Sequence, residues 1–271
     1  MLLLLHVLML SLLSSGSAKV VQNFENECGQ FFANGKPPTQ FLNPQYRKIC
    51  QTLNDNVPYY ATYYDTYNRI PVYSAYKFEG LKSCKRLNKW HIEPQLDAPA
   101  DMTPEDVNIQ GLGGQQALNK DYIKSEYDRG HLAPVFHAHS KDCADATFTL
   151  TNAAPQDPSF NSGQWRVLEG NKNTVLVPGT NKINNRVNVP SHFWTAYCCL
   201  DNNNICQITG GSIGVNENIP PIDKSVEDLE TELAMLYDVP SFKLFDSSTQ
   251  GRKRDRTNTE PLPNKKPRSQ K

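Results

Sequence analysis

The chain has 271 residues, 28 of them Lys or Arg and 28 Asp or Glu, so its formal charge at neutral pH is zero. That length allows one domain with its own hydrophobic core. The balance leaves out a chain that is basic as a whole. An enzyme of nucleic acid is commonly basic only locally, so the count neither supports nor excludes one.

Residues 1–18 read as a secretory signal peptide: Leu2 to Leu13 is apolar apart from His6 and Ser11, and Gly16, Ser17 and Ala18 precede a cut at Lys19. The positive n-region is missing, so this reading rests on the apolar run and the small residues. The run is shorter than the about 20 residues of a membrane span, and no later stretch qualifies. Seven cysteines follow, at 28, 50, 84, 143, 198, 199 and 206, without the paired spacing of zinc sites. In an oxidising compartment they are expected as structural disulfides. Adjacent Cys198 and Cys199 would bond to different partners, and the odd count leaves one thiol over.

Residues 24–51 form a loop-rich opening stretch. Val57–Tyr64 and Ile70–Phe78, rich in Tyr, Val and Thr, flank Asp65-Thr-Tyr-Asn68 and predict a β-hairpin whose tyrosines pack the sheet. Residues 98–114 are a polar loop, and Gln115–Tyr122 a short helix or turn. Tyr127–His131 and Phe148–Asn152 are expected as strands and Asn161–Glu169 as a helix. Further strands are expected at Arg186–Val189, Trp194–Cys199 and Gln207–Val215. Ser225-Val-Glu-Asp228 is a capping box that opens a helix to about Tyr237, with Leu229, Leu233 and Leu236 on one face. From Asp246 to Lys271 the chain loses hydrophobicity and gains Lys, Arg, Pro and Asn, the composition of a disordered basic tail. Its clusters Lys253-Arg254 and Lys265-Lys-Pro-Arg268 resemble a bipartite nuclear signal, which the signal peptide contradicts. Non-specific attraction to nucleic acid, or plain solvation, accounts for them better.

Two stretches carry chemistry: Tyr127-Asp-Arg-Gly-His-Leu-Ala-Pro134 and Asn161-Ser-Gly-Gln-Trp-Arg-Val-Leu-Glu169. Hydrolysis of an anionic phosphodiester needs charge neutralisation, an activated water and help for the departing alkoxide. Arg129 offers a planar, permanently charged fork that matches phosphate oxygens. His131 has an unperturbed pKa of about 6.5 and can take a proton from water. On a strand the two share a face, and Gly130 between them allows close backbone approach or an unusual dihedral. Asn161 can offer a neutral carbonyl oxygen to magnesium, an ion that keeps several waters and takes few protein ligands. Glu169, eight positions on, falls near the same helical face and could accept hydrogen bonds from the ion's waters. Trp165 reads as a core anchor.

With Thr151-Asn-Ala-Ala-Pro-Gln156 between the halves, the chain resembles the DNA/RNA non-specific endonucleases of the ββα-metal superfamily, and within them a vertebrate secreted branch. Residues 64–76, 90–95 and 184–199 add to the likeness, which spans roughly residues 20–245. The resemblance implies an α+β, His-Me finger fold with a central, mainly antiparallel sheet over residues 19–245. It implies His131 as general base, Arg129 as phosphate contact and Asn161 as metal ligand. Glu169 would join the metal-water network, and Asn152 would hold the site in register at the substrate. Mg2+, with Mn2+ as the alternative, would be the cofactor, and DNA, with RNA as a second class, the substrate. One departure stands out: Gly170-Asn-Lys-Asn173 ends the helix soon after Glu169, leaving Thr174–Val177 as the following strand. The primary expectation is a secreted, metal-dependent, sequence-non-specific endonuclease. The runner-up is a catalytically weak or inactive nuclease fold that binds nucleic acid or another partner.

Overall fold

The computed structural model describes residues 19–53, 57–81, 84–85, 89–97, the backbone of 103–104, 111–166, 175–203 and 205–246. The expected signal peptide, the expected basic tail beyond Asp246, Glu169 and the stretch 170–173 lie outside the described residues.

The strands are β1 (Lys19–Val21), β2 (Tyr46–Gln51), β3 (Tyr60–Asp65), β4 (Ile70–Ala75), β5 (His91–Ile92), β6 (Thr103–Pro104), β7 (Asp128–His131), β8 (Ala153–Gln156), β9 (Val175–Val177), β10 (Lys182–Ile183), β11 (Val187–Asn188), β12 (His192–Leu200), β13 (Cys206–Val215) and β14 (Ile222–Lys224). Eight of them form one sheet in the order β1-β2-β3-β4-β9-β12-β13-β14, with every neighbouring pair antiparallel. The helices are α1 (Phe24–Cys28), α2 (Asn119–Tyr122), α3 (Lys141–Ala146), α4 (Pro158–Phe160) and α5 (Val226–Leu236). The fold is therefore α+β with a central antiparallel sheet, as the sequence predicts.

Both faces of that sheet are covered. On one, Leu229 and Leu233 of α5 and Phe24 of α1 pack against Tyr63, Tyr73, Trp194 and Ile213. The opposite face takes the hairpin β7-β8 and the helix after it, through Leu132, Ala154, Phe160 and Trp165 against Ile70, Leu176 and Phe193. Every residue of β3 is buried, because side chains alternate between two covered faces. The β3-β4 hairpin closes where the Asp65 carboxylate accepts the N–H groups of Tyr67 (2.9 Å) and Asn68 (3.0 Å), an Asx turn. Ser225 caps α5 by accepting from Asp228 N–H at 3.1 Å.

The loop-rich opening stretch also holds α1 and β2, tied by a Cys28–Cys50 disulfide. Two expectations need correction. Residues 150–152 form a 3-10 turn rather than the end of a strand, and the strand comes later, at β8. The cause is Asn152, whose side chain is committed to hydrogen bonds described below. The cysteine pairing is also sparser than one leftover thiol. Cys198–Cys206 joins β12 to β13, and Cys84, Cys143 and Cys199 are thiols. Strand alternation points Cys199 away from its neighbour's partner, and it is exposed.

Peptide mapping without reduction should recover the 28–50 and 198–206 links. A maleimide should label Cys199 in the native protein, with Cys143 reacting only on unfolding. Burial pushes the Cys143 thiol up to about 11, which removes its nucleophilic form at neutral pH. Slow native labelling at Cys199 would contradict its exposure.

Candidate active site

β7 pairs with β8 in the register Asp128↔Gln156, Arg129↔Pro155, Gly130↔Ala154 and His131↔Ala153. Alternation puts Arg129 and His131 on one face of the strand and Asp128 and Gly130 on the other. Gln156 is fully buried and crosses over Gly130. A Cβ at position 130 would lie 2.7 Å from the Gln156 Cβ and nearer still to its Oε1. The glycine is thus needed for close approach, and the approaching group is Gln156; its φ is not in the left-handed region.

Beneath the hairpin, Asn152 is completely buried. Its Oδ1 accepts from Ala133 N–H and Ser74 Oγ, each at 2.9 Å, and its Nδ2 donates to the carbonyls of Ala133 (3.1 Å) and Thr147 (3.0 Å). Its own carbonyl accepts from Leu132 N–H at 2.9 Å. A carboxamide spent in this way has nothing left for substrate. Asn152 thereby locks the residues that follow His131.

Asn161 is reached through Asp157, which caps α4 by accepting from the N–H groups of Ser159 (2.9 Å) and Phe160 (3.0 Å). The Ser159 hydroxyl foremost, with those N–H groups, holds the Asp157 carboxyl below its ordinary value. Asn216 sets the approach: its Oδ1 accepts from Asp157 N–H at 2.9 Å while its Nδ2 donates to the carbonyls of Pro155 and Pro190, both at 3.1 Å. Asn161–Trp165 then makes a π-type turn, with Gly163 at φ −100° and ψ −110°. Regular α spacing from Asn161 onward does not hold there. Trp165 is the expected core anchor, fully buried against Phe160 and Phe193.

The Asn161 carboxamide donates through Nδ2 to Asp128 Oδ2 at 2.8 Å. That bond fixes which way the amide points, so Oδ1 is the atom left to turn toward an ion. The sequence motif by itself assigns Asp128 no role. The signal was there, because it alternates with Arg129 and so faces the helix side of the hairpin.

Arg129 donates through Nη1 to Asn119 Oδ1 and lies over the Trp90 ring, its Cζ 4.8 Å from the centroid. Asn119 opens α2, which is pinned by Arg186: its Nε donates to the buried Asp121 at 2.9 Å and its Nη2 to Gly113 O at 2.8 Å. The His131 ring packs 5.1 Å from Trp90 and 4.8 Å from Phe148. Arg129 and His131 therefore share one indole, and Asn161 is tied to the same strand through Asp128. Glu169 falls outside the described residues.

The donor chemistry fits a hard cation. Asn161 Oδ1 and the neighbouring Asp128 carboxylate are oxygens, the ligands that suit magnesium or manganese with most of its water retained. Among the described residues no group of three or more His, Cys, Asp and Glu forms a dedicated cage.

The family model described as DNA/RNA non-specific endonuclease matches residues 38–176. The human Endonuclease domain-containing 1 protein is 35% identical over 196 residues, 64% of this chain and 39% of that protein. Its mouse counterpart is 35% identical over 197 residues, 64% and 38% respectively. Human mitochondrial Endonuclease G is 47% identical over 55 residues, 20% of this chain and 18% of its own. The chain thus spans about two-fifths of the length of the human and mouse proteins it matches over its larger part. The solved EndoG/EndoGI complex aligns at a TM-score of 0.47 and 20% identity, covering 75% of this chain and 87% of that one. Among the described residues no helix is long and apolar enough to cross a membrane.

Gly130→Ala should destabilise the domain by about 1–3 kcal/mol, the usual cost of overpacking, read as a lower urea midpoint. Gly130→Ala combined with Gln156→Ala should recover part of that loss. If the single variant is as stable as the parent, the packing account of the glycine is wrong.

Proposed function

The chain belongs to the DNA/RNA non-specific endonuclease family, and from that premise we propose that it is a metal-dependent endonuclease hydrolysing phosphodiester bonds of DNA, with RNA as a second substrate, exported by residues 1–18. The observation that carries this reading is the Asn161–Asp128 bond. It ties an oxygen donor for a cation to β7, the strand whose other face bears a phosphate fork and a base. In this proposal His131 takes the proton of the attacking water, and the unused N–H groups of Arg129 bind the phosphate. Asn161 offers Oδ1 to the ion while Asp128 holds its amide in that orientation. Glu169 is proposed as the carboxylate that orders water beside Asn161. A bound magnesium, with manganese as the alternative, would supply charge neutralisation and Lewis acidity at the leaving oxygen.

The runner-up, a weak or inactive nuclease fold, draws on Gly170–Asn173. Against a collapsed site stands β9, which follows that stretch and is seated in the central sheet between β4 and β12.

His131→Ala should lower single-turnover cleavage of a DNA duplex by about 10²–10⁴-fold, the usual share of general-base catalysis, with DNA affinity little changed. Asn161→Ala should instead raise the magnesium concentration needed for half-maximal rate. Near-parental cleavage by purified His131→Ala would remove the base assignment, and an unchanged magnesium titration would remove Asn161.

A further inference from the structure

Trp90 reaches the site from a separate part of the chain. It is set in place by its neighbour: His91 N–H donates to Phe148 O at 2.8 Å, and His91 bridges to Thr149. The half-buried indole then meets three groups. The His131 ring lies 5.1 Å away at 35°, the Phe148 ring 5.1 Å away at 64°, and the Arg129 guanidinium carbon 4.8 Å from the ring centroid. Phe148 completes the wall by meeting His131 edge-on at 4.8 Å and 75°.

An arginine side chain has several free torsions, and fixing it costs rotamer entropy. A guanidinium within about 6 Å of an aromatic face is held by the ring's quadrupole, and a planar one stacks well. His131, by contrast, is confined by packing between two aromatic rings. We propose that Trp90 is a positioning residue of the nuclease site. Its indole holds the Arg129 guanidinium and the His131 imidazole in one register, so that fork and base meet the same phosphodiester. The catalytic consequence rests on the nuclease reading above; the contact itself does not.

The alternative is that Trp90 only fills space, in which case any apolar side chain of moderate size would serve. The test compares Trp90→Phe, Trp90→Leu and Trp90→Ala in the full chain. Single-turnover cleavage should fall about 10–100-fold in Leu and Ala, as misplacement of reacting groups by about 1 Å does, and stay within several-fold in Phe. The loss should appear in kcat rather than KM. In parallel, the ring-proton shifts of His131 are recorded by NMR on metal-free protein. They should be displaced by the indole ring current in the parent, partly retained in Phe and lost in Leu and Ala. Equal activity of Phe and Leu overturns the proposal, as does a His131 signal that ignores the loss of Trp90. If the parent cleaves no DNA, the nuclease reading fails. The geometry then decides alone: His131–Phe148 ring-proton NOEs that change in Leu uphold the indole as the platform, and unchanged ones remove it. Should Ala fail to fold, the Phe and Leu pair carries the comparison.

Discussion

The arrangement depends on one buried carboxamide. Asn152 holds Ala133 by both its N–H and its C=O, and reaches Thr147 and Ser74 besides. Ser74 lies on β4 and continues to Thr62 of β3 at 3.0 Å, so a line of side-chain hydrogen bonds runs from the central sheet to the residues that follow His131. All of it is shut from water. Loss of the carboxamide would leave several backbone groups buried and unpaired, at about 1–3 kcal/mol each. The end of β7 has no soft alternative position, because any shift breaks these bonds together.

From that anchor the site is built outward in order of decreasing burial. Gln156 fills the space over Gly130, which lets β7 and β8 close face to face. Asn216 then fixes where the chain leaves β8, and Asp157 starts the next helix. Asn161 arrives beside Asp128 as a result, and its amide bonds across to β7. At the outer edge, Arg129 is held by Asn119 and Trp90, and α2 is held in turn by the Asp121–Arg186 pair. Rigid internal bonds thus present half-buried groups at the surface, the preorganisation a hydrolytic site requires.

Much of this was legible in the sequence, and the reasons for the rest are specific. Arg129 and His131 sit on one strand face because a period of two holds for any strand, and the tyrosine-rich hairpin at β3-β4 follows from β-branched and aromatic residues around an Asp turn. The segment Phe148-Thr-Leu-Thr-Asn152 alternates like a strand, yet the strand lies later, at β8. Its alternation cannot reveal that Asn152 would bond across the fold and force a tight turn. Regular helical spacing after Asn161 likewise fails at Gly163, where the backbone leaves the α region. Trp90 was visible only as part of a family likeness, since its contacts with residues 129 and 131 exist only after the chain folds. Asp128 was the one missed residue that strand alternation alone could have assigned.

The central claim is that this fold carries a working, cation-requiring phosphodiesterase site. Cleavage of supercoiled plasmid by the purified protein tests it most directly, measured with magnesium, after chelation, and after magnesium is restored. The account predicts nicking and linearisation with the metal, none in chelator, and full recovery on adding it back. Plasmid left intact in magnesium and in manganese, by protein that is folded and binds DNA, would contradict it and make the chain a binding module on a nuclease scaffold.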